Sequence, residues 1–191
     1  MKRKIGDLTR VISTIISRIF DPIWESLIIL FLLSQLAKSE FPKGSLFLLS
    51  FFLVYLIPWL FFHYQLKKGK ISDWDITKRE ERISFYSVSK VTILIFFSIL
   101  FFLSPKSIPF YLKFLIPFLI FYLLTFFNKV SGHMITNTLF ILSIYFYTGK
   151  SDILYIGIII LLLVALSRFN LKKHTLPQLI IGTGLGLLAL I

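Results

Sequence analysis

Three polar stretches of this chain carry side chains suited to holding and transferring phosphate. One runs Ser167-Arg168-Phe169-Asn170-Leu171-Lys172-Lys173-His174-Thr175-Leu176-Pro177-Gln178, and a second reads Lys129-Val130-Ser131-Gly132-His133. The third, from Gln65 to Ser84, contains Lys78, Arg79 and Arg82. A phosphoryl group spreads its charge over three oxygens, and its transfer is catalysed mainly by positioning and electrostatic stabilisation. Arg79, Arg82 and Arg168 would supply that field. Arg79 and Arg82 stand one helical turn apart, so they can share a face and grip one phosphate between them. Ser131, Gly132 and His133 fall where a helix begins, so backbone N–H groups and the helix dipole can hold a phosphate oxygen. Gly132 permits close backbone approach there. Lys78 and Lys129 are further basic candidates, although Lys129 also reads as a boundary lysine that snorkels.

The elements that must position these groups are membrane helices. Of 191 residues, 57% are hydrophobic and only 16% charged, against roughly 25% charged in soluble domains. Apolar runs occupy about 23–36, 46–62, 85–103, 109–127, 134–147, 153–166 and 176–191. Several are shorter than the roughly 20 residues needed to cross a 30 Å hydrocarbon core, which leaves open seven spans or six with a re-entrant end. Before them, Ile5, Leu8, Val11, Ile12, Ile15, Ile16, Ile19 and Phe20 recur at helical spacing with Asp7, Arg10 and Arg18 opposite. That pattern suits an interfacial helix over 1–20, and Asp21 with Pro22 reads as the N-cap and first residue of the next helix. The expected fold is an all-α integral membrane protein: a bundle of six to seven transmembrane helices preceded by an N-terminal amphipathic interfacial helix, all in one domain over 1–191. Pairs of spans separate the three polar stretches, so parity places all three on one membrane face. The absence of cysteine excludes disulfides and thiolate-ligated metals.

At Ser131-Gly132-His133 and Ser167-Arg168 to His174 the chain resembles the type-2 phosphatidic acid phosphatase superfamily. That family shares the patterns K-x6-R-P, P-S-G-H and S-R-x5-H-x3-D. The third pattern is matched through His174 and ends in Gln178 where the family has Asp. The second is matched with Val130 in place of proline. In the first, Arg82 takes the arginine and Arg79 stands in for the lysine, with no proline following. The resemblance covers about 73–186 and implies that His174 attacks phosphorus to give a phosphohistidine while His133 protonates the leaving oxygen. Water then hydrolyses the intermediate without a metal or other cofactor. The family Asp would fix the tautomer of the nucleophilic ring and balance its charge. Gln178, four residues after His174 and on the same helical face, can orient the ring but carries no charge. Loss of such a carboxylate costs a serine protease triad about 10⁴ in rate, and Asp73 or Asp75 are the carboxylates that would substitute.

The implied substrate is a membrane lipid phosphomonoester or diphosphate, an isoprenoid phosphate or diphosphate first and a phosphatidic acid type second. The alternative is a catalytically weak or inactive lipid-phosphate binder. The net charge of +12 would suggest nucleic acid in a soluble protein, but here most basic residues sit on the motif-bearing face. Only Lys38, Lys43, Lys106 and Lys150 lie in the opposite turns. The excess survives removal of the phosphate-binding candidates, so the positive-inside rule puts the site on the cytoplasmic side of the cell membrane. Asp73-Trp74-Asp75-Ile76-Thr77 also spells the D-x-D-x-T nucleophile signature of haloacid dehalogenase-like phosphatases, which demands a buried strand before it. The preceding Lys67-Lys68-Gly69-Lys70-Ile71-Ser72 is no such strand. A magnesium site at Asp73, Asp75, Glu80 and Glu81 competes with simple capping and salt bridging by the same residues.

Overall fold

A computed structural model describes residues 2–191, with the side chains of residues 2–6 and of Arg79 outside the described set. Helices account for nearly all of it, and no strand occurs among the described residues. In chain order they are α1 (Lys2–Ile19), α2 (Pro22–Leu36), α3 (Lys43–Ser50), α4 (Ile57–Lys67), α5 (Arg79–Leu103), α6 (Ile108–Thr125), α7 (Gly132–Thr148), α8 (Asp152–Asn170) and α9 (Leu176–Leu187). Each apolar run of the sequence is therefore helical.

Four helical stretches are long and apolar enough to cross a membrane: Lys43–Lys67, Glu80–Leu103, Pro105–Thr125 and Asp152–Asn170. Helix α2, with 15 residues, reaches only about 22 Å at 1.5 Å per residue, short of the roughly 30 Å hydrocarbon core. Helices α7 and α9 are likewise short, at 17 and 12 residues. A run of exposed Ile158, Ile159, Leu162, Leu163 and Leu166 along α8 fits lipid contact, since water would penalise so wide an apolar face.

The chain divides into two compact units, Leu30–Asn128 and the combination of Met1–Ile29 with Lys129–Ile191. In the Leu30–Asn128 unit, α3 runs into α4 through a π-helical segment, Phe51–Leu56. Pro58 explains the widening: it has no N–H, and its ring crowds the carbonyl four residues back. The loop after α4 folds onto that helix, burying Ile71 and Ile76 against Phe62 with Trp74 and Phe85 alongside.

In the other unit α7 is the central helix, packed by both α8 and α9. Small residues set the α7–α9 distance. A Cβ on Gly182 would lie 2.7 Å from the Ser131 carbonyl oxygen, and one on Gly186 would lie 2.5 Å from the Thr138 Cβ. Gly184 on the same helix faces open space. Helix α1 lies along α8; Leu8, Val11, Ile12, Ile15 and Ile19 are exposed together with Thr9, Arg10, Thr14 and Arg18, while Ser13 and Ser17 are buried and Ile16 packs against Met134, Val164 and Leu179. Asp21 then caps α2 as expected, its Oδ1 accepting from the Ile23 N–H at 3.0 Å.

Gly182→Ala should destabilise the detergent-solubilised protein by about 1–3 kcal/mol, because the obstructing atom is backbone and cannot swing away. Gly184→Ala should be neutral or stabilise by up to about 1 kcal/mol through helix propensity. Unfolding curves for the two variants test the pair; equal effects would show that the α7–α9 contact does not depend on Gly182.

Candidate functional site

The spacing of the third motif follows from two local structures in series. Helix α8 ends in a Schellman turn: the Lys173 N–H donates to the Arg168 carbonyl at 3.0 Å and the Lys172 N–H to that of Phe169 at 2.9 Å. Lys172 takes the left-handed position at φ 55°, where glycine is more usual. The reversal delivers His174 immediately ahead of Thr175, the N-cap of α9. Arg168 thus lies in the last turn of one helix and His174 at the mouth of the next.

At that mouth Thr175 and Gln178 form a capping box. The Gln178 side-chain oxygen Oε1 accepts from the Thr175 N–H at 3.2 Å and also lies 3.2 Å from His174 Nδ1. A backbone N–H can only donate, so the cap decides which end of the Gln178 amide faces it. The oxygen faces it, and His174 Nδ1 must then carry a hydrogen to bond the same oxygen. In the neutral ring the lone pair is left on Nε2. Gln178 also fixes the second motif, because its main-chain carbonyl accepts from the Ser131 N–H at 3.3 Å.

Ser131 is the N-cap of α7, its Oγ accepting from the Met134 N–H at 3.4 Å. Gly132 opens the helix and His133 is in its first turn, buried. A third connection comes from α1. Arg168, only 2% exposed, donates from Nη1 to the Ser17 Oγ at 2.7 Å, and the same Oγ is 3.4 Å from His133 Nε2. Asn137, one turn beyond His133, donates to the Phe20 carbonyl at 3.2 Å and to the His133 carbonyl at 2.9 Å. Two hydrogen-bonded groups result, Arg168–Ser17–His133 and His174–Gln178–Ser131, and residues 131 to 133 join them at the start of α7.

The arrangement offers a buried guanidinium, two imidazoles held by defined partners and a helix N-terminus, which together can bind an oxyanion and move protons. The remaining candidates fall as follows. Lys129 is half-buried just ahead of Val130. Arg82, Lys78, Asp73 and Asp75 belong to the Leu30–Asn128 unit. There, buried Arg82 donates from Nε to the Ile76 carbonyl at 2.8 Å, clamping a residue whose φ of 45° is strained for a β-branched side chain. Lys78 pairs with Glu81 at 3.3 Å. Asp73 Oδ1 accepts from the Asp75 N–H at 2.9 Å and from both the N–H and hydroxyl of Thr77, so the D-x-D-x-T segment is a capped turn. The Arg79 side chain lies outside the described residues. Sequence reasoning missed Ser13, Ser17 and Asn137; the signal was a pair of small hydroxyls four apart on an otherwise greasy helix.

No protein-family model matches the chain, and neither a curated protein nor a solved structure matches it.

The shared Gln178 oxygen has a spectroscopic consequence. In protein labelled with ¹⁵N-histidine, neutral His174 should show the Nδ1–H tautomer. Gln178→Ala should let the Nε2–H form grow, and Gln178→Glu should keep Nδ1–H while preserving the capping box. An Nε2–H signal in the unmodified protein would refute the assignment.

Proposed function

We propose that this chain is a membrane-embedded lipid phosphatase of the type-2 phosphatidic acid phosphatase kind. The observation that carries the reading is the His174–Gln178 bond, which leaves the His174 Nε2 lone pair as the nucleophile in a site that also gathers Arg168, His133 and the start of α7. Nε2 attacks phosphorus, the bond from phosphorus to the lipid oxygen breaks, and His133 gives that oxygen a proton. Water then attacks the phosphohistidine, with His133 accepting its proton, and inorganic phosphate leaves. Arg168 and the α7 amides hold the equatorial oxygens, where charge is greatest. No step needs a metal or organic cofactor.

The substrate class is an isoprenoid phosphate or diphosphate, with phosphatidic acid second. The apolar helices suit a substrate whose tail stays in the bilayer. Helices α2, α7 and α9, extended by their polar flanks, join the four longer ones as short spans, giving seven, or six with a re-entrant end, with α1 in the interface. The basic excess on the motif-bearing face orients the site toward the cytoplasm. One observation favours a second reading, a lipid-phosphate binder of low turnover: Gln178 supplies no charge to balance an imidazolium.

Purified protein in detergent with EDTA should release phosphate from isoprenyl diphosphate or from phosphatidic acid. His174→Ala should lower the rate at least about a thousandfold and His133→Ala by roughly 10²–10⁴. Rapid quench with ³²P-labelled substrate should trap an acid-labile, alkali-stable phosphoprotein that His174→Ala lacks. No release from any lipid offered, together with saturable vanadate binding, would leave the binder; activity surviving His174→Ala would discard the mechanism.

A further inference from the structure

We propose that Ser17, on α1, is a positioning residue that holds the His133 ring by Nε2 and ties it to Arg168. The inference rests on the reading of His133 as the proton donor. It starts from the inward face of α1, where Ser13 and Ser17 are buried beside Ile16, which packs on the core. Each serine has partners on α8. Ser13 Oγ accepts from Asn170 Nδ2 at 3.5 Å, and its main-chain carbonyl accepts the Ser167 hydroxyl. Ser17 Oγ accepts from Arg168 Nη1 at 2.7 Å. Only Ser17 also reaches an imidazole, at 3.4 Å.

A serine hydroxyl has one hydrogen and two lone pairs. Arginine never accepts, so one lone pair of Ser17 is committed to Arg168. That leaves the hydrogen and the second lone pair, and Nε2 can use either. A bare Nε2 takes the hydroxyl hydrogen and an Nε2–H gives its hydrogen to the oxygen, so with Nε2 engaged by Ser17 the proton that His133 exchanges with the substrate is the one on Nδ1. The contact therefore persists in both charge states, which is what a residue that gives up and regains a proton each cycle requires. No other side chain type of this size does both; alanine does neither. Arg168 donation polarises the hydroxyl and makes it the stronger donor, so ring position and phosphate-binding cation are mechanically linked through one oxygen. Helix α1 is on this view part of the site itself.

The test uses full-length protein in detergent, compared as wild type, Ser17→Ala, Ser17→Thr and Ser13→Ala. Ser13→Ala controls for loss of a buried serine hydroxyl that does not touch the ring. In ¹⁵N-histidine spectra the His133 Nε2 resonance should move in Ser17→Ala and stay in place in Ser13→Ala and Ser17→Thr. In phosphate release, Ser17→Ala should lower kcat about tenfold with KM within about twofold, and Ser17→Thr should recover most of it. An unmoved Nε2 resonance in folded Ser17→Ala, or a kcat loss no greater than that of Ser13→Ala, would overturn the proposal. Should wild type release no phosphate, the phosphatase reading fails, and the spectra alone then decide whether Ser17 holds His133.

Discussion

The carbonyl oxygen of the Gln178 side chain serves two donors at once, and much of the site's geometry depends on it. One donor is the Thr175 N–H at the head of α9 and the other is His174 Nδ1. Helix ends leave backbone N–H groups that must find partners, so the capping bond would form whatever the chain did. Placing an imidazole one residue before the cap makes that structural necessity also a constraint on tautomer. The same residue's main chain reaches Ser131, and the close approach this needs is possible because Gly182 presents no Cβ to the Ser131 carbonyl. A larger residue at 182 would separate the two motif-bearing segments before any functional group was altered.

Helix α1 turns its small hydroxyls Ser13 and Ser17 inward, where polar groups of α7 and α8 are their partners. Ser17 on α1 links Arg168 on α8 to His133 on α7, the Ser13 carbonyl accepts the Ser167 hydroxyl, and Asn137 donates to the Phe20 and His133 carbonyls. A guanidinium as buried as that of Arg168 needs acceptors around it, and the Ser17 oxygen is one.

What could be read from sequence divides along the same line. Apolar runs, and helical periodicity for α1, marked where the helices lie, and the short motifs drew attention to both histidines, Arg168 and Gln178, because those features are local in the chain. Ser17 could not be found this way: its partners are 116 and 151 residues distant, and a serine in an apolar helix is commonplace. Of the six to seven spans expected, four helices have the length to cross a membrane: hydropathy marks where a run is apolar, but the Schellman turn and caps decide where a helix stops. Asp73 and Asp75 looked like replacement carboxylates by type alone. The structure uses Asp73 to close the turn over Ile76, and the atom beside His174 Nδ1 is an amide oxygen.

Whether an amide can do a carboxylate's work depends on what the carboxylate was for. In the serine protease comparison, replacing aspartate by asparagine costs about 10⁴, and the loss is attributed to a wrong tautomer: an amide can turn its NH₂ toward the ring and force the hydrogen onto the other nitrogen. Here that rotation is opposed, because it would set the NH₂ against the Thr175 N–H and leave two donors facing each other at the head of α9. The cap thus guards the orientation that the substitution would otherwise endanger. What Gln178 lacks is only the negative charge that would balance a cationic ring. For the proposed phosphoryl transfer the shortfall is smaller still, because the phosphoryl group that His174 would attack is itself anionic and brings negative charge to the ring as the bond forms. A neutral acceptor locked in register by a capping box would therefore present the ring of the proposed nucleophile correctly, lacking only a carboxylate's charge.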